Sequence, residues 1–376
     1  MVNGAGHPVF VGGTGRSGTS ILGKVLGRHP HYAMVETELV FHAAPGGIPD
    51  LLEGHVRLER FIEKLRNAWW YSERPEGAKF RERGLHRVIP EERFEAALEV
   101  LSGAFADDPV TACREFVDAL VQPIADDAGK PSWIDTTPYN PFYGRALLDL
   151  YPDMRLIHIV RDGRDVASSV AGIYFGPETP LGALRWWEER MRRADAGSRG
   201  LPPDRLLVIS FEDLVVNARD ETYGRLLEFL GVEDAPRLRR AFDNRLSPDS
   251  ANIGRWRSLP HRDRTDLDAS YRAVLLRMRR DGIGCAPPFD PEWGVDPDLS
   301  SATVAREMAF RIHVLYSGPR SEHEAVSPGM TYEEAQGELR AIRRQCDEGG
   351  EVVRSWAFLP ASSIVAAYVS EDSGTD

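Results

Sequence analysis

The sequence predicts an α/β fold, a parallel sheet flanked by helices, with a helical insertion and a small C-terminal α+β extension. Two observations carry this. The buried-type apolar runs Pro8–Gly12, Arg155–Val160 and Leu206–Ser210 are each followed by a polar or glycine-containing turn. Each turn then opens a helix-period stretch, and strand–turn–helix repeated in this way makes βαβ units with parallel strands.

In chain order, Pro8–Gly12 leads into a helix expected over Ser17–Arg28. His31–Val35 and Ser132–Asp135 are weaker strand candidates. Between them, residues 43–130 are charged and helix-prone, with Trp69, Trp70 and Tyr71 close together. This insertion could wall a site, or its aromatics could simply pack in a core. After Arg155–Val160 comes a helix over Asp165–Tyr174. Leu206–Ser210 precedes a helix over Ala218–Leu230, stopped by Gly231. Trp186 and Trp187 are expected on a further helix, as core. The Pro- and Asp-rich Cys285–Ser300 separates a domain of residues 1–290 from an extension of residues 301–376. That extension reads as strand-like at Arg311–Tyr316, helix-like at Tyr332–Cys346, and strand-like at Val352–Leu359 and Ser363–Val369.

Composition excludes several function classes. The 376 residues are 42% hydrophobic, enough for a substantial core. With 46 basic and 58 acidic residues the net charge is −12, which argues against a nucleic-acid or anionic-membrane surface. Lys occurs four times, so 42 of the 46 cations are Arg, and any anion site should be built from guanidinium forks. Three dispersed cysteines and no H-E-x-x-H pattern predict neither a disulfide framework nor a metal site. No apolar run approaches the roughly 18 residues of a membrane span. The glycine-rich loop begins by residue 12, so no signal peptide and a cytoplasmic location are expected.

The strongest local signal is Val9–Ser20, VFVGGTGRSGTS. Its glycines let backbone N–H groups crowd an anion, and the following helix adds its positive N-terminal end. Gly13-x4-Gly18 makes the fold P-loop-like. The Lys that should follow Gly18 and reach β- and γ-phosphates is replaced by Thr19, and the cation sits earlier, at Arg16. A P-loop small-molecule kinase is the rival reading, weakened by that missing Lys.

Arg16-Ser17-Gly18-Thr19-Ser20 resembles the 5′-phosphosulfate loop of sulfotransferases that use 3′-phosphoadenosine 5′-phosphosulfate (PAPS), in the manner of bacterial and tyrosylprotein-type members. The likeness spans roughly residues 8–260. It implies that Gly15, Arg16, Ser17, Gly18, Thr19 and Ser20 hold the 5′ end of PAPS, with adenosine 3′,5′-bisphosphate (PAP) as product. Leu156–Val170, LIHIVRDGRDVASSV, resembles the family's 3′-phosphate site, which implies that Arg161 and Ser169 hold that phosphate. Asp165 reads as a helix cap or Arg partner, and Arg164 as a solvent-facing charge. Asn252–Trp256, NIGRW, resembles a late G-R-W segment, which adds Gly254 and Arg255 to the site. Trp256 either covers the adenine or packs, and Phe211 either contacts the base or packs.

Glu36 follows the candidate strand His31–Val35, at the same sheet edge as the loop. The Glu36-Thr37 step also resembles the one that carries the general base in tyrosylprotein-type relatives. Glu38 and His42 are the alternatives. Asp135-Thr136-Thr137-Pro138 departs from the family pattern, with Thr136 where relatives have a catalytic Lys. The resemblance therefore implies sulfuryl transfer from PAPS to a hydroxyl of a small-molecule, natural-product or carbohydrate acceptor, without a metal. A non-catalytic nucleotide-binding relative is the other alternative. The extension could cap the acceptor site or make a homodimer.

Overall fold

The computed structural model describes residues 6–73, 82–248, 251–288, 310–317, 322–326, 338–342, 344–346, 351–353, 358–360 and 364–371. The chain divides into two compact units, Met1–Leu52 with Leu58–Trp293 and Glu53–Arg57 with Gly294–Asp376.

The first unit is α/β. Strand β1 (Val9–Gly12) runs into helix α1 (Thr19–Leu26) and then β2 (Tyr32–Met34). The insertion holds α2 (Ile48–Leu52), α3 (Leu58–Lys64), α4 (Glu91–Ala104) and α5 (Pro109–Asp127), with a hairpin of β3 (Ser72–Glu73) and β4 (Glu82–Arg83). Then follow β5 (Ser132–Asp135), α6 (Gly144–Leu150), β6 (Arg155–Val160), α7 (Gly163–Val170), α8 (Pro180–Ser198) and β7 (Leu206–Ser210). Helices α9 (Arg219–Leu230), α10 (Pro236–Arg245) and α11 (His261–Arg280) complete the unit.

The five main strands lie in the order β2-β5-β1-β6-β7, with every neighbouring pair parallel. Alternation sorts the side chains. Val9, Val11, Ile157, Ile159 and Ile209 join α1, α9 and α10 in one core. Val160 joins α7, α8 and α11 in another, around Trp187 and Tyr271. The chain leaves β1 towards β2 and leaves β6 towards β7. The point between these neighbours, at the carboxyl ends of the strands, is where open α/β sheets bind ligands.

Helix α7 begins at Gly163 because Asp162 caps it, accepting the Arg164 N–H at 2.8 Å, so it starts earlier and ends earlier than the periodicity suggests. Helix α9 ends at Gly231 in the left-handed conformation, as expected. Trp69 and Trp70 are half-buried on a wide turn, Leu65–Trp70, where Trp70 stacks on Phe94 at 4.3 Å. Tyr71 is exposed.

In the second unit, β8 (Phe310–Ser317), β9 (Glu322–Val326) and β12 (Ile364–Glu371) form an antiparallel sheet of order β12-β8-β9. The run Val352–Leu359 is not one strand but parts of two, β10 (Glu351–Val353) and β11 (Phe358–Pro360), paired antiparallel. Strand β9 was not expected, since its Glu and His residues mask the apolar signal. Most of Cys285–Ser300 lies outside the described residues. Among the described residues, no helix is long and apolar enough to cross a membrane.

Candidate active site

The loop after β1 is a tight left-handed wrap. Gly15, Arg16 and Gly18 have φ of 89°, 57° and 101°. Positive φ costs a non-glycine residue, so Arg16 is held there by its surroundings. Thr14 and Ser17 share a hydroxyl hydrogen bond of 2.8 Å, and the Ser17 hydroxyl also donates to Gly15 O at 3.3 Å. Ser17 is fully buried, so its side chain serves the loop's shape rather than facing outward. Thr19 is buried as well, while Ser20 is exposed. Gly18 must be glycine twice over: its φ is left-handed, and a Cβ there would stand 2.7 Å from the Phe211 ring. Phe211 is buried beneath the loop, so of its two possible roles packing is the one observed. Gly18 is the N-cap of helix α1 and offers no side-chain cap, and the first turn holds no acidic residue, which leaves the helix's positive end uncompensated.

Three segments converge on this loop. Arg16 Nε donates to Ser169 Oγ of α7 at 3.0 Å. Arg161, just beyond β6, donates from Nη1 to Arg16 O at 3.1 Å. From Nη2 it reaches Asn252 O at 2.9 Å and Ala251 O at 3.2 Å. Its guanidinium lies 4.9 Å from the Phe211 ring, and its Nε is buried without a partner among the described residues. Arg161 thus clamps the loop to the segment 251–256 through backbone carbonyls. Arg255 is exposed on that segment, and among the described residues neither it nor Arg16 has a carboxylate in ion-pair reach. Desolvation, with the like charges of Arg161 and Arg255, holds the Arg16 pKa below its ordinary value. Guanidiniums that repel one another beside an uncapped helix start are arranged for an anion.

Asp165 organises the third segment. Its buried carboxylate accepts the N–H groups of Gly254 at 2.7 Å and Trp256 at 3.1 Å, and lies 3.7 Å from Arg161. Pairing with an Arg was expected; gripping the G-R-W turn was not, and the helix cap belongs to Asp162. Arg164 corrects the sequence reading outright. It is buried, not solvent-facing: it pairs with Asp162 at 2.6 Å and with Asp268, and stacks between Trp256 at 4.4 Å and Tyr271 at 4.6 Å. Burial alone would lower its pKa, but the hydrogen bonds and charges of these carboxylates raise it. Trp256 is buried and packs on this guanidinium.

On the other flank, Glu36 lies just beyond β2, at the same sheet edge as the loop but two strands away from β1. It is exposed, and among the described residues its carboxylate has no ion-pair partner. Glu38 is exposed nearby, whereas His42 is buried and cannot meet an acceptor. Thr136, between the two flanks at the end of β5, is buried with its methyl against Gly23 of α1, where a Cβ would stand 2.2 Å away. Position 136 therefore supplies no cation. Trp186 was expected as core, but is half-buried and its Cη2 would lie 3.5 Å from a Cβ at Gly15, with Arg190 stacked on it at 4.0 Å. Trp187 is core. The spacing Leu184, Trp187, Met191 puts Trp187 on the buried face of α8, and Trp186 falls one residue off that face.

A model described as the sulfotransferase family matches residues 8–236. A protein-tyrosine sulfotransferase of Drosophila melanogaster is 23% identical over 229 residues, which cover 60% of this chain and 38% of that protein. The chain thus spans well under half the length of that curated relative. Among solved structures, the sulfotransferase domain of the Synechococcus PCC 7002 olefin synthase gives a TM-score of 0.41 at 19% identity, covering 70% of this chain and 94% of that one. A mouse sulfotransferase complexed with PAP gives 0.38 at 13% identity, covering 77% and 89%.

Proposed function

The chain belongs to the sulfotransferase family, and from that premise we propose that it transfers a sulfuryl group from PAPS to an acceptor hydroxyl. The observation that carries this is the convergence of Arg16, Arg161 and Arg255, from three separate segments, on an uncapped helix start. Such a cluster suits a ligand with phosphate groups at two ends.

PAPS supplies a sulfuryl group already attached to a good leaving phosphate. Arg16, the α1 amides and Ser20 hold the 5′ end and stabilise the negative charge that grows on the departing phosphate oxygen. Ser169 and Arg255 hold the 3′-phosphate, with Arg161 adding charge while it fixes the loop to the turn. Glu36 takes the acceptor proton as the new O–S bond forms and the S–O bond to phosphate breaks. Thr136 supplies no charge, so Arg16 carries the neutralising role that a Lys would share. The curated relative is a protein-tyrosine sulfotransferase. A phenol, as in tyrosine, therefore stands beside small-molecule and carbohydrate hydroxyls as the acceptor class.

Thermal stabilisation by PAP, compared with Mg·ATP, tests the donor site. Stabilisation by PAP that weakens in Arg16→Ala is expected. Stabilisation by Mg·ATP alone would favour a kinase.

A further inference from the structure

We propose that His42 is held as an imidazolium and, together with Asp135, acts as the positioning device for the arch that carries Glu36; this rests on Glu36 being the base. The arch is short and pinned at both ends. Val35 N–H continues the sheet by donating to Ile134 O at 2.9 Å. Leu39 is held three times: its N–H donates to Asp135 Oδ1 at 3.0 Å, and its carbonyl accepts from the His42 N–H at 3.0 Å and from His42 Nδ1 at 2.6 Å. Only Glu36, Thr37 and Glu38 lie between these fixed points, and Thr37 Oγ1 adds a bond to Gly84 O at 3.4 Å.

The protonation state follows from the partners. Asn140 Nδ2 donates to Val11 O at 3.2 Å and Asp135 Oδ2 at 2.8 Å, so its amide orientation is fixed and Oδ1 faces His42. His42 Nε2 meets that oxygen at 2.8 Å and Asp135 Oδ2 at 3.4 Å. Leu39 O and Asn140 Oδ1 can only accept, so both ring nitrogens must carry hydrogen. A neutral ring would set a lone pair against an oxygen inside a site with no water contact, which is costly. The charge is balanced by Asp135, whose buried carboxylate also accepts from the Thr137 N–H at 2.9 Å and hydroxyl at 3.0 Å.

The charged group facing His42 is Asp135 from β5. The rings of Phe10 from β1, at 5.4 Å, and Phe41, at 6.0 Å, complete its surroundings with Asn140 and Leu39. Burial would lower the His42 pKa, yet the charge and hydrogen bond of Asp135 raise it. Burial would raise that of Asp135, yet His42 lowers it. The pair thus couples the end of β5, the end of β1 and the Glu36 arch in one buried unit.

Nitrogen-15 spectroscopy on the full chain with labelled histidine reads the ring directly and requires no variant. Both His42 nitrogens should be protonated at pH 7, with titration only above the ordinary imidazole range. A neutral tautomer at pH 7 overturns the proposal. In His42→Gln the Leu39 carbonyl loses its ring donor and Asp135 its balancing charge, so the arch should open more often and amide exchange at Leu39 quicken by about tenfold or more, while exchange at residues 14–18 and PAP affinity hold. Unchanged exchange at Leu39 also overturns it. Full turnover in Glu36→Gln would instead overturn the base assignment, an outcome read separately from the nitrogen spectrum.

Discussion

Arg16 Nε donates to Ser169 Oγ at 3.0 Å, joining residues 153 apart in sequence across the switch point of the sheet. The bond ties the loop after β1 to the helix after β6, so the two segments proposed to hold the donor are built as one. Ser169→Ala removes both the acceptor that orients Arg16 and a hydroxyl for the 3′-phosphate. PAP affinity should fall by about tenfold, the worth of one charge-assisted hydrogen bond, as read by calorimetry. An unchanged affinity would place the phosphate elsewhere.

Arg16→Ala should reduce turnover by about 10²-fold or more, because it removes the fixed charge facing the departing phosphate. Arg16→Lys should recover only part of this, since a point charge cannot replace the fork that also meets Ser169. Steady-state kinetics with saturating PAPS distinguishes the three proteins.

Glu36→Gln should lower turnover by about 10²-fold while PAP binds as before, since the base and the donor site lie on opposite flanks of β1. Glu38→Gln, by the same assay, should remain within a few-fold of the parent. The reverse order of effects would move the base to Glu38.

Asp165→Ala leaves the Gly254 and Trp256 N–H groups without their acceptor and Arg161 without its carboxylate. The fold should lose about 3 kcal/mol, measured by chemical denaturation, and PAP affinity should fall with it as the Arg255 turn loosens. In Arg255→Ala, affinity should fall with stability unchanged, which separates the turn's chemistry from its anchoring.

Stability should fall on the acid side through histidines that the fold holds neutral. Burial pushes His158 down to about 4, its ring nitrogens without partners among the described residues, and burial with the charges of Arg155 and Arg205 pushes His7 to about 4. Below the ordinary pKa of 6.5 the unfolded chain takes up protons that the native state refuses. Stability is therefore full above that value and declines as pH falls towards 4, with His158 contributing ~3 kcal/mol. His158→Leu should flatten this decline in melting curves. His42 has the opposite sign, and its contribution is lost as pH rises through its raised pKa.

The strands were legible because a buried parallel strand is a run of apolar residues with a turn after it. Arg155–Val160, Leu206–Ser210 and Ser132–Asp135 stand as read. Arg16, Ser169 and the Gly254–Trp256 turn were singled out through the family resemblance of their motifs, since Ser169 lies inside α7 and the turn follows α10, where no strand-end spacing marks them. Arg164 was not legible, because its partners Asp268 and Tyr271 lie over a hundred residues away and helix periodicity cannot see them. His42 was read as a possible base because a sequence shows an imidazole but not its burial. Trp186 and Trp187 are adjacent and alike in sequence, yet only one meets the loop, since a helix turns successive side chains about 100° apart.

The central claim is sulfuryl transfer at the Arg16 loop. The most direct measurement is incubation of the protein with sulfur-labelled PAPS and a cell extract, followed by mass spectrometry for products that carry the label. Labelled product that forms with the parent chain and is lost with Arg16→Ala and Glu36→Gln is the predicted result. Tight PAP binding with no labelled product from any extract would contradict it, and would make the chain a nucleotide-binding member without transfer activity.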